Sequence, residues 1–349
     1  MSSRADILSL LHGNKLPSPP AFSGLIHVTA EGLQSEGLSL HEVHHDAKKM
    51  AKASASTFKL TGMPSATLPL DLCAPAEALG AELNYEGEGF PQVMRAVVES
   101  AKVIGELVNS NLRLGTGGGR VAPNDFRGAY RDQRLETGRL EIVCEAIRLV
   151  REDIENEVVI SGMIPGPYTL LLYLCDLKNL FIEMKKEPQV VLDALFHLSS
   201  FLAKIGNAYR DSGVDFITIH EMGGSPGFIG PAKFEQFVLP ALRELHASLP
   251  SPRVLSVCGN TNKSAAALAE SGADAVSVDQ VNDLAASREI LKDTLLFGNL
   301  DPVATLWKGD EAEVVESTRR AKEAGVDAVW PGCDLVPSTP IRNLKAMMM

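Results

Sequence analysis

The sequence predicts an α/β fold, a (β/α)8 barrel of the TIM type that forms a single domain over residues 1–349. Short apolar runs alternate with longer amphipathic stretches, which is the order expected of parallel βαβ units, and eight such units can be counted. A chain of 349 residues with 45% hydrophobic content is also long enough for one large core. An open doubly wound sheet is the alternative, and it would form a binding crevice at one switch point.

The predicted strands are short apolar runs, most of which end at a polar or glycine-containing turn. They cover residues 21–28, 66–70, 158–162, 216–219, 254–257, 275–278, 295–297 and 328–330. The clearest predicted helices cover residues 40–60, 188–212, 232–247, 263–271 and 311–324. About the first 20 residues are predicted to form an N-terminal helical extension. The glycine-rich stretch at residues 115–119 follows no predicted strand, which favours a flexible loop over a phosphate-binding loop.

Three predicted strands are preceded by the same short pattern, a glycine, a small or β-branched residue and an aspartate. The three copies are Gly213-Val214-Asp215, Gly272-Ala273-Asp274 and Gly325-Val326-Asp327. A glycine at the end of a helix favours the left-handed backbone conformation of a C-terminal cap. The pattern therefore predicts serial helix-to-strand turns of one architecture, without any chemistry of its own.

Composition excludes several classes of partner and compartment. A net charge of −11 gives no indication of a nucleic-acid partner. No apolar run approaches the roughly 20 residues that span a membrane, and the N-terminus lacks the pattern of a signal peptide. The five cysteines are odd in number and widely spread, so no disulfide framework is predicted. These features together predict a cytoplasmic, reducing location.

Metal-binding side chains follow several of the predicted strands, at the edge where a parallel barrel forms its active sites. His220 and Glu221, Cys258, Asp279 and Cys333 each stand at such a strand end. Zinc takes about four ligands from Cys, His and carboxylate groups. Two thiolates, His220 and one carboxylate, either Asp279 or Glu221, would satisfy it. The alternative is that each cysteine is a small buried apolar residue.

The same segments resemble the uroporphyrinogen decarboxylase superfamily. The resemblance lies in Val254–Thr261 (VLSVCGNT), Gly298–Pro302 (GNLDP) and Gly332–Leu335 (GCDL), with further likeness at Pro69–Leu72 and Ile164–Thr169. It is nearer to the corrinoid-dependent branch, the methylcobamide:coenzyme M methyltransferases. The decarboxylases themselves are disfavoured, because they carry an arginine-rich N-terminal segment that grips the substrate carboxylates. Here the only arginine before Arg95 is Arg4.

The resemblance implies a zinc site made of a His-x-Cys motif and a distant cysteine. Cys258 and Cys333 match the two cysteines, but Ser256 stands at the histidine position. Serine is a poor zinc ligand beside imidazole, so either His220 from the neighbouring strand rebuilds the site or metal is weak or absent. Asp279 falls near a carboxylate ligand position of the more distantly similar cobalamin-independent methionine synthases.

The implied function is methyl transfer between a corrinoid and a thiol or tetrahydrofolate. The chain lacks the Asp-x-His-x-x-Gly corrinoid motif, so methylcobalamin is expected on a separate corrinoid protein, with a small molecule as methyl acceptor or donor. One alternative is demethylation of a methylated substrate onto the corrinoid. Another, favoured by the loss of the histidine, is a non-catalytic corrinoid-binding paralogue. Candidate substrate-binding residues are Asp71, Glu77, Tyr168 and Asn299; for the two acids, helix capping or a structural salt bridge is the alternative.

Overall fold

The computed structural model describes residues 3–86, 89–112, 138–154 and 156–349. The glycine-rich stretch at residues 115–119 lies outside them. Seven parallel strands form a curled sheet in the order β1-β4-β5-β6-β7-β8-β9, and β2 pairs with β3 in a separate antiparallel ribbon. The strands are β1 Ser65–Leu68, β2 Leu83–Asn84, β3 Gln92–Val93, β4 Val159–Pro165, β5 Phe216–Glu221, β6 Arg253–Val257, β7 Ala275–Val278, β8 Leu295–Leu300 and β9 Ala328–Pro331.

Helices stand between successive strands of the large sheet, as the alternating pattern predicts. They are α1 Arg4–Leu11, α2 Ala30–Ser35, α3 Ala47–Thr61, α4 Ala74–Ala78, α5 Ile104–Leu112, α6 Arg139–Asp153, α7 Pro167–Leu174, α8 Leu177–Lys186, α9 Pro188–Ser212, α10 Pro226–Ile229, α11 Pro231–Lys233, α12 Leu239–Ala247, α13 Ala265–Ala269, α14 Leu284–Leu291, α15 Glu311–Glu323 and α16 Ile341–Met347. Shorter turns of 3-10 or π type lie at Leu40–Glu42, Ala101–Val103, Phe234–Val238, Asn262–Ser264 and Pro302–Trp307. No helix within the described ranges is long and apolar enough to cross a membrane.

The strands of the large sheet are buried on both faces, as expected of a parallel sheet covered by helices. Every residue of β4, β5 and β7 is buried. Neighbouring strands are in register at their carboxyl ends, where Glu221 of β5 pairs with Val257 of β6. Side chains at these ends therefore lie side by side along one rim of the sheet.

The glycine–aspartate turns are confirmed, and each aspartate ties its strand to the preceding one. Gly213, Gly272 and Gly325 have φ values of +117°, +85° and +91°, a backbone conformation that favours glycine. The aspartate carboxylate accepts a hydrogen bond from a backbone N–H at or near the start of the neighbouring strand. The three pairs are Asp215 with Ile160 at 2.8 Å, Asp274 with Arg253 at 2.7 Å and Asp327 with Leu296 at 2.9 Å.

The predicted strand at residues 21–28 is wrong, because this segment makes only an isolated parallel bridge, between Ala21 and Val329. Side chains take the place of a strand partner. The N–H groups of Ser23 and Ile26 donate to the Ser65 hydroxyl at 3.0 Å and to the Asp334 carboxylate at 2.8 Å. The helix predicted from residue 40 begins only at Ala47, after Asp46, whose carboxylate caps the helix by accepting the N–H of Lys49.

Candidate metal centre

Three side chains from separate parts of the chain converge at the carboxyl rim of the sheet. His220 lies near the end of β5, Cys258 directly after β6 and Cys333 two residues after β9. The Nε2 atom of His220 is 3.6 Å from the Cys258 Sγ and 3.9 Å from the Cys333 Sγ, and the two sulfurs are 2.7 Å apart. All three atoms lie within 4.8 Å of one another.

The register of β5 and β6 explains how an imidazole reaches the two thiols. His220 pairs directly with Ser256, the residue at the motif position where the resemblance leads one to expect histidine. Paired residues on adjacent parallel strands point to the same side of the sheet. The imidazole thus comes from the neighbouring strand at the equivalent level. The Ser256 hydroxyl is buried and has no hydrogen-bond partner among the described residues.

The distances allow a test of whether a zinc ion fits this group. Bond lengths of about 2.0 Å to nitrogen and about 2.3 Å to sulfur in a tetrahedron place nitrogen and sulfur about 3.5 Å apart, and two sulfurs about 3.8 Å apart. The observed nitrogen–sulfur separations are 3.6 and 3.9 Å, within about 0.4 Å of that distance. The sulfurs are about 1 Å closer than that geometry requires, so a small outward movement suffices. The residues therefore fit zinc.

Charges around the three donors favour a thiolate beside a cation. The hydrogen bond with Cys258 and the imidazole of His220 hold the pKa of Cys333 well below its usual value, whereas the same hydrogen bond and burial raise the pKa of Cys258. Burial opposes a positive charge on His220, but Asp334 and Cys333 outweigh it and raise its pKa to about 9. The negative groups that favour a proton on His220 would also favour a metal cation, and that proton must leave before the imidazole can bind the metal.

A cavity of about 510 Å³ opens beside Cys258. Its lining is mainly apolar or backbone and comes from Thr169, Leu172, Tyr173, Met222, Gly223, Ser225, Gly227, Phe228, Cys258, Gly259 and Asn260. A pocket of this size suits a small molecule, and of the three residues of the metal centre Cys258 is the one that lines it. A ligand in this cavity would therefore meet the centre from the Cys258 side.

The two predicted carboxylate ligands are engaged with backbone N–H groups instead. Glu221 is fully buried, and its oxygens accept hydrogen bonds from the N–H groups of Tyr168 at 3.1 Å, Thr169 at 3.0 Å and Gly224 at 2.9 Å. Burial raises the pKa of Glu221. Asp279 accepts the N–H of Gly259 at 2.8 Å, which fixes the loop that carries Cys258. Both residues lie outside the group of three donors within 4.8 Å.

Asp71 and Glu77 form a buried ionic network. Arg139, with a side chain only 2% exposed, donates to both carboxylates, and the Nδ1 atom of His44 lies 3.0 Å from Asp71. Although burial opposes ionisation, Arg139 and His44 hold the pKa of Asp71 well below its usual value. Tyr85 donates its hydroxyl to Glu77 at 3.0 Å. For both acids, these contacts correspond to the alternative given in the sequence analysis, a structural salt bridge.

Tyr168 and Asn299 also have partners within the protein. The hydroxyl of Tyr168, a fully buried residue, donates to the sulfur of Met184 at 3.1 Å. The Asn299 amide donates to the carbonyl oxygens of Asp279 at 3.1 Å and Asn282 at 3.0 Å, which fixes the loop after β7. Neither residue lines the cavity beside Cys258. These contacts engage the Tyr168 hydroxyl and the Asn299 amide nitrogen within the protein.

Sequence reasoning missed Asp334, Arg139 and His44. Asp334 follows Cys333 directly, and its carboxylate oxygen lies 3.7 Å from the Nε2 atom of His220. Its place beside a strand-end cysteine was a usable signal. Arg139 lies 68 residues from Asp71 in the chain, at the start of a helix, and no local pattern links the two.

Comparisons with known proteins agree along nearly the full length of the chain. The family model "Uroporphyrinogen decarboxylase (URO-D)" matches residues 2–349. The methylcobamide:CoM methyltransferase MtaA of Methanosarcina barkeri is 28% identical over 344 residues, which cover 98% of this chain and 95% of that protein. A methylated-thiol–coenzyme M methyltransferase of Methanosarcina mazei is 24% identical, and the match covers 97% of this chain and 86% of that protein.

A solved structure supports the same relationship. A methyltransferase from Methanosarcina mazei matches with a TM-score of 0.86 and 26% sequence identity, covering 99% of this chain and 96% of that one. Because the family model spans all but the first residue, the chain belongs to the uroporphyrinogen decarboxylase (URO-D) family.

Proposed function

We propose that the protein is a zinc-dependent methyltransferase that moves a methyl group from a corrinoid to a thiol. The observation that carries the proposal is the convergence of His220, Cys258 and Cys333 within 4.8 Å beside a cavity. The relatives named as methylcobamide:CoM methyltransferases support the reaction class and the enzymatic role. A set of one imidazole and two thiolates leaves a fourth zinc position for an exchangeable ligand, as catalytic sites do.

The chain's own residues position the thiol acceptor and shelter the reaction. His220, Cys258 and Cys333 hold the metal, and zinc when bound lowers the pKa of a coordinated thiol, so that the nucleophilic thiolate is present at neutral pH. Glu221 fixes the start of α7 and the Gly224 turn, which contribute neighbouring wall residues of the cavity. The carbon–sulfur bond forms as the carbon–cobalt bond breaks, and the electron pair of that bond stays on cobalt.

We infer that the corrinoid is carried by a separate protein. Its support is that the sequence lacks the Asp-x-His-x-x-Gly corrinoid motif, while the relative MtaA is named for methylcobamide as a substrate. The five cysteines are all free, which supports a reducing compartment, and we place the protein in the cytoplasm. We also infer that the sheet closes into one barrel domain. Its support is that residues 21–28 contact both edge strands, through Phe22 with Val329 of β9 and Ser23 with Ser65 of β1.

A second direction of transfer is favoured by one relative. The methylated-thiol–coenzyme M methyltransferase, at 24% identity, is named for a methylated substrate. The same metal centre serves removal of a methyl group, because a sulfur bound to zinc is also a better leaving group. We rank transfer to a thiol first, because a thiol acceptor would itself bind the metal that the two cysteines and His220 hold.

The test is a methyl-transfer assay with free methylcobalamin, zinc-loaded protein and either a small thiol or tetrahydrofolate. We expect the methyl–cobalt absorption to disappear with the thiol, and the rate to fall at least 100-fold in Cys258→Ala. Cys144→Ala is the matched control, because Cys144 lies on α6, apart from the metal centre, and we expect it to keep the rate. Methylation of tetrahydrofolate alone would reassign the acceptor. No transfer to either acceptor, and no charging of cobalt(I) by methylated thiols, would leave a non-catalytic paralogue.

A further inference from the structure

We propose that Asp334 supplies the fourth protein donor to the metal held by His220, Cys258 and Cys333, an inference that rests on the proposed zinc site. The Oδ2 atom of Asp334 lies 3.7 Å from the Nε2 atom of His220. That nitrogen is the one that faces the two sulfurs. The carboxylate is therefore on the metal side of the imidazole. An outer residue that orients a metal-bound histidine contacts the opposite ring nitrogen.

One oxygen of Asp334 is fixed and the other is free. Oδ1 accepts the backbone N–H of Ile26 at 2.8 Å, which anchors the side chain against the irregular segment at residues 21–28. Oδ2 accepts no hydrogen bond from any backbone or hydroxyl donor among the described residues, and its close partner is His220. A carboxylate anchored through one oxygen presents the other as a single ligand atom, the usual arrangement for zinc.

Asp279 and Glu221, the two carboxylates predicted as ligands from the sequence, do not have such a free oxygen. Both oxygens of Asp279 accept backbone N–H groups, those of Gly259 and Val281. Both oxygens of Glu221 likewise accept backbone N–H groups. Both residues lie outside the group of donors within 4.8 Å, so either would have to move away from these N–H groups to reach the metal, and in a buried site each lost hydrogen bond is costly. Asp334 can bind without such a loss.

The geometry also shows which way Asp334 must move. Two ligand atoms, nitrogen and oxygen, on one tetrahedral zinc lie about 3.3 Å apart, and Oδ2 is already 3.7 Å from the His220 nitrogen. Asp334 is outside the group of donors within 4.8 Å of one another, so its side chain must turn towards the sulfurs to complete the site. The side chain of Asp334 is 19% exposed, whereas His220 is fully buried. A thiol acceptor needs the fourth position on the metal, so it would have to displace the Asp334 carboxylate.

The test measures the zinc dissociation constant by competition with a chromogenic chelator, in the absence of added thiol. Asp334→Asn keeps an oxygen for the Ile26 N–H but is a much weaker ligand, and we expect its zinc affinity to fall at least about 100-fold. Asp283→Asn is the matched control, because it removes one negative charge from a helix start that asparagine also caps. We expect it to stay within about threefold of the native protein.

The outcomes separate the two proposals. If zinc affinity falls by less than about 100-fold in Asp334→Asn, removal of a nearby charge accounts for the change. That result overturns the ligand assignment and leaves the zinc site in place. Native protein that binds no zinc overturns the proposed function itself. Asp334→Glu, which retains a carboxylate, is measured alongside and is expected to keep the affinity within about tenfold. Equal melting temperatures of the metal-free proteins exclude misfolding as the cause of any loss.

Discussion

Exchanging His220 and Ser256 tests whether two neighbouring strands offer one equivalent position for the imidazole. The two residues are register partners on β5 and β6, and both are buried. In His220→Ser the centre loses one donor. In the double variant His220→Ser/Ser256→His, the new imidazole on β6 lies next to the space that the His220 ring leaves on β5. We therefore expect the double variant to recover the metal affinity that the single variant loses.

The expected size follows from the free energy of zinc binding. Structural zinc sites bind the ion with an apparent free energy of about 10–16 kcal/mol, and dividing this equally among four donors gives about 2.5–4 kcal/mol per donor. At about 1.4 kcal/mol for each tenfold change, His220→Ser lowers zinc affinity by about 60- to 700-fold. Recovery to within about tenfold of the native protein is expected in the double variant. Ser256→His alone crowds a second ring beside His220 and costs about 1–3 kcal/mol of unfolding free energy.

The assay is chelator competition for zinc, with thermal unfolding of each metal-free variant as the control for folding. If His220→Ser binds zinc within about tenfold of the native protein, His220 is not a ligand. If the folded double variant binds no better than His220→Ser, the strands do not offer equivalent positions. Either result would refute the reasoning from register.

Two further predictions concern stability. Burial lowers the pKa of His246 to about 4, below the unfolded value of about 6.5, so its stabilising contribution is complete above pH 6.5 and is lost as the pH falls towards 4. From pH 7 to pH 5, the free energy of unfolding measured with urea should fall by about 2 kcal/mol more in the native protein than in His246→Asn. Equal decreases in the two proteins would contradict this. Arg139→Met leaves Asp71 buried without its cation and should lower the free energy of unfolding by about 3–5 kcal/mol. Arg148→Met on the same helix removes only an exposed pair with Glu145 and should cost below about 1 kcal/mol in the same assay, so similar costs would refute the buried network.

The parts of the fold that could be predicted from sequence are those set by local backbone chemistry. The glycine of each Gly-x-Asp turn adopts the left-handed conformation expected of a helix cap. Strand ends were readable because a polar turn follows a buried apolar run. Parallel strands in register then bring their carboxyl ends to one rim, which is why His220, Cys258 and Cys333 could be grouped before their distances were known.

The rest depended on contacts between distant segments. Residues 21–28 have the apolar character of a strand, but the side chains of Ser65 and Asp334 take their N–H groups. Gly24 lies so close to neighbouring side chains that a Cβ atom there would be 2.4 Å from the Thr218 hydroxyl. Asp71 resembled a ligand-binding acid because its cation, Arg139, is remote in sequence. Local patterns carry no information about such pairings.

The most direct measurement is anomalous X-ray scattering at the zinc edge from crystals of the purified protein. We expect one peak per chain, at bonding distance of about 2.0–2.3 Å from the Nε2 atom of His220 and the Sγ atoms of Cys258 and Cys333. No peak in zinc-supplemented crystals, or a peak bound only by other side chains, would contradict the proposed centre and the methyl-transfer chemistry that depends on it.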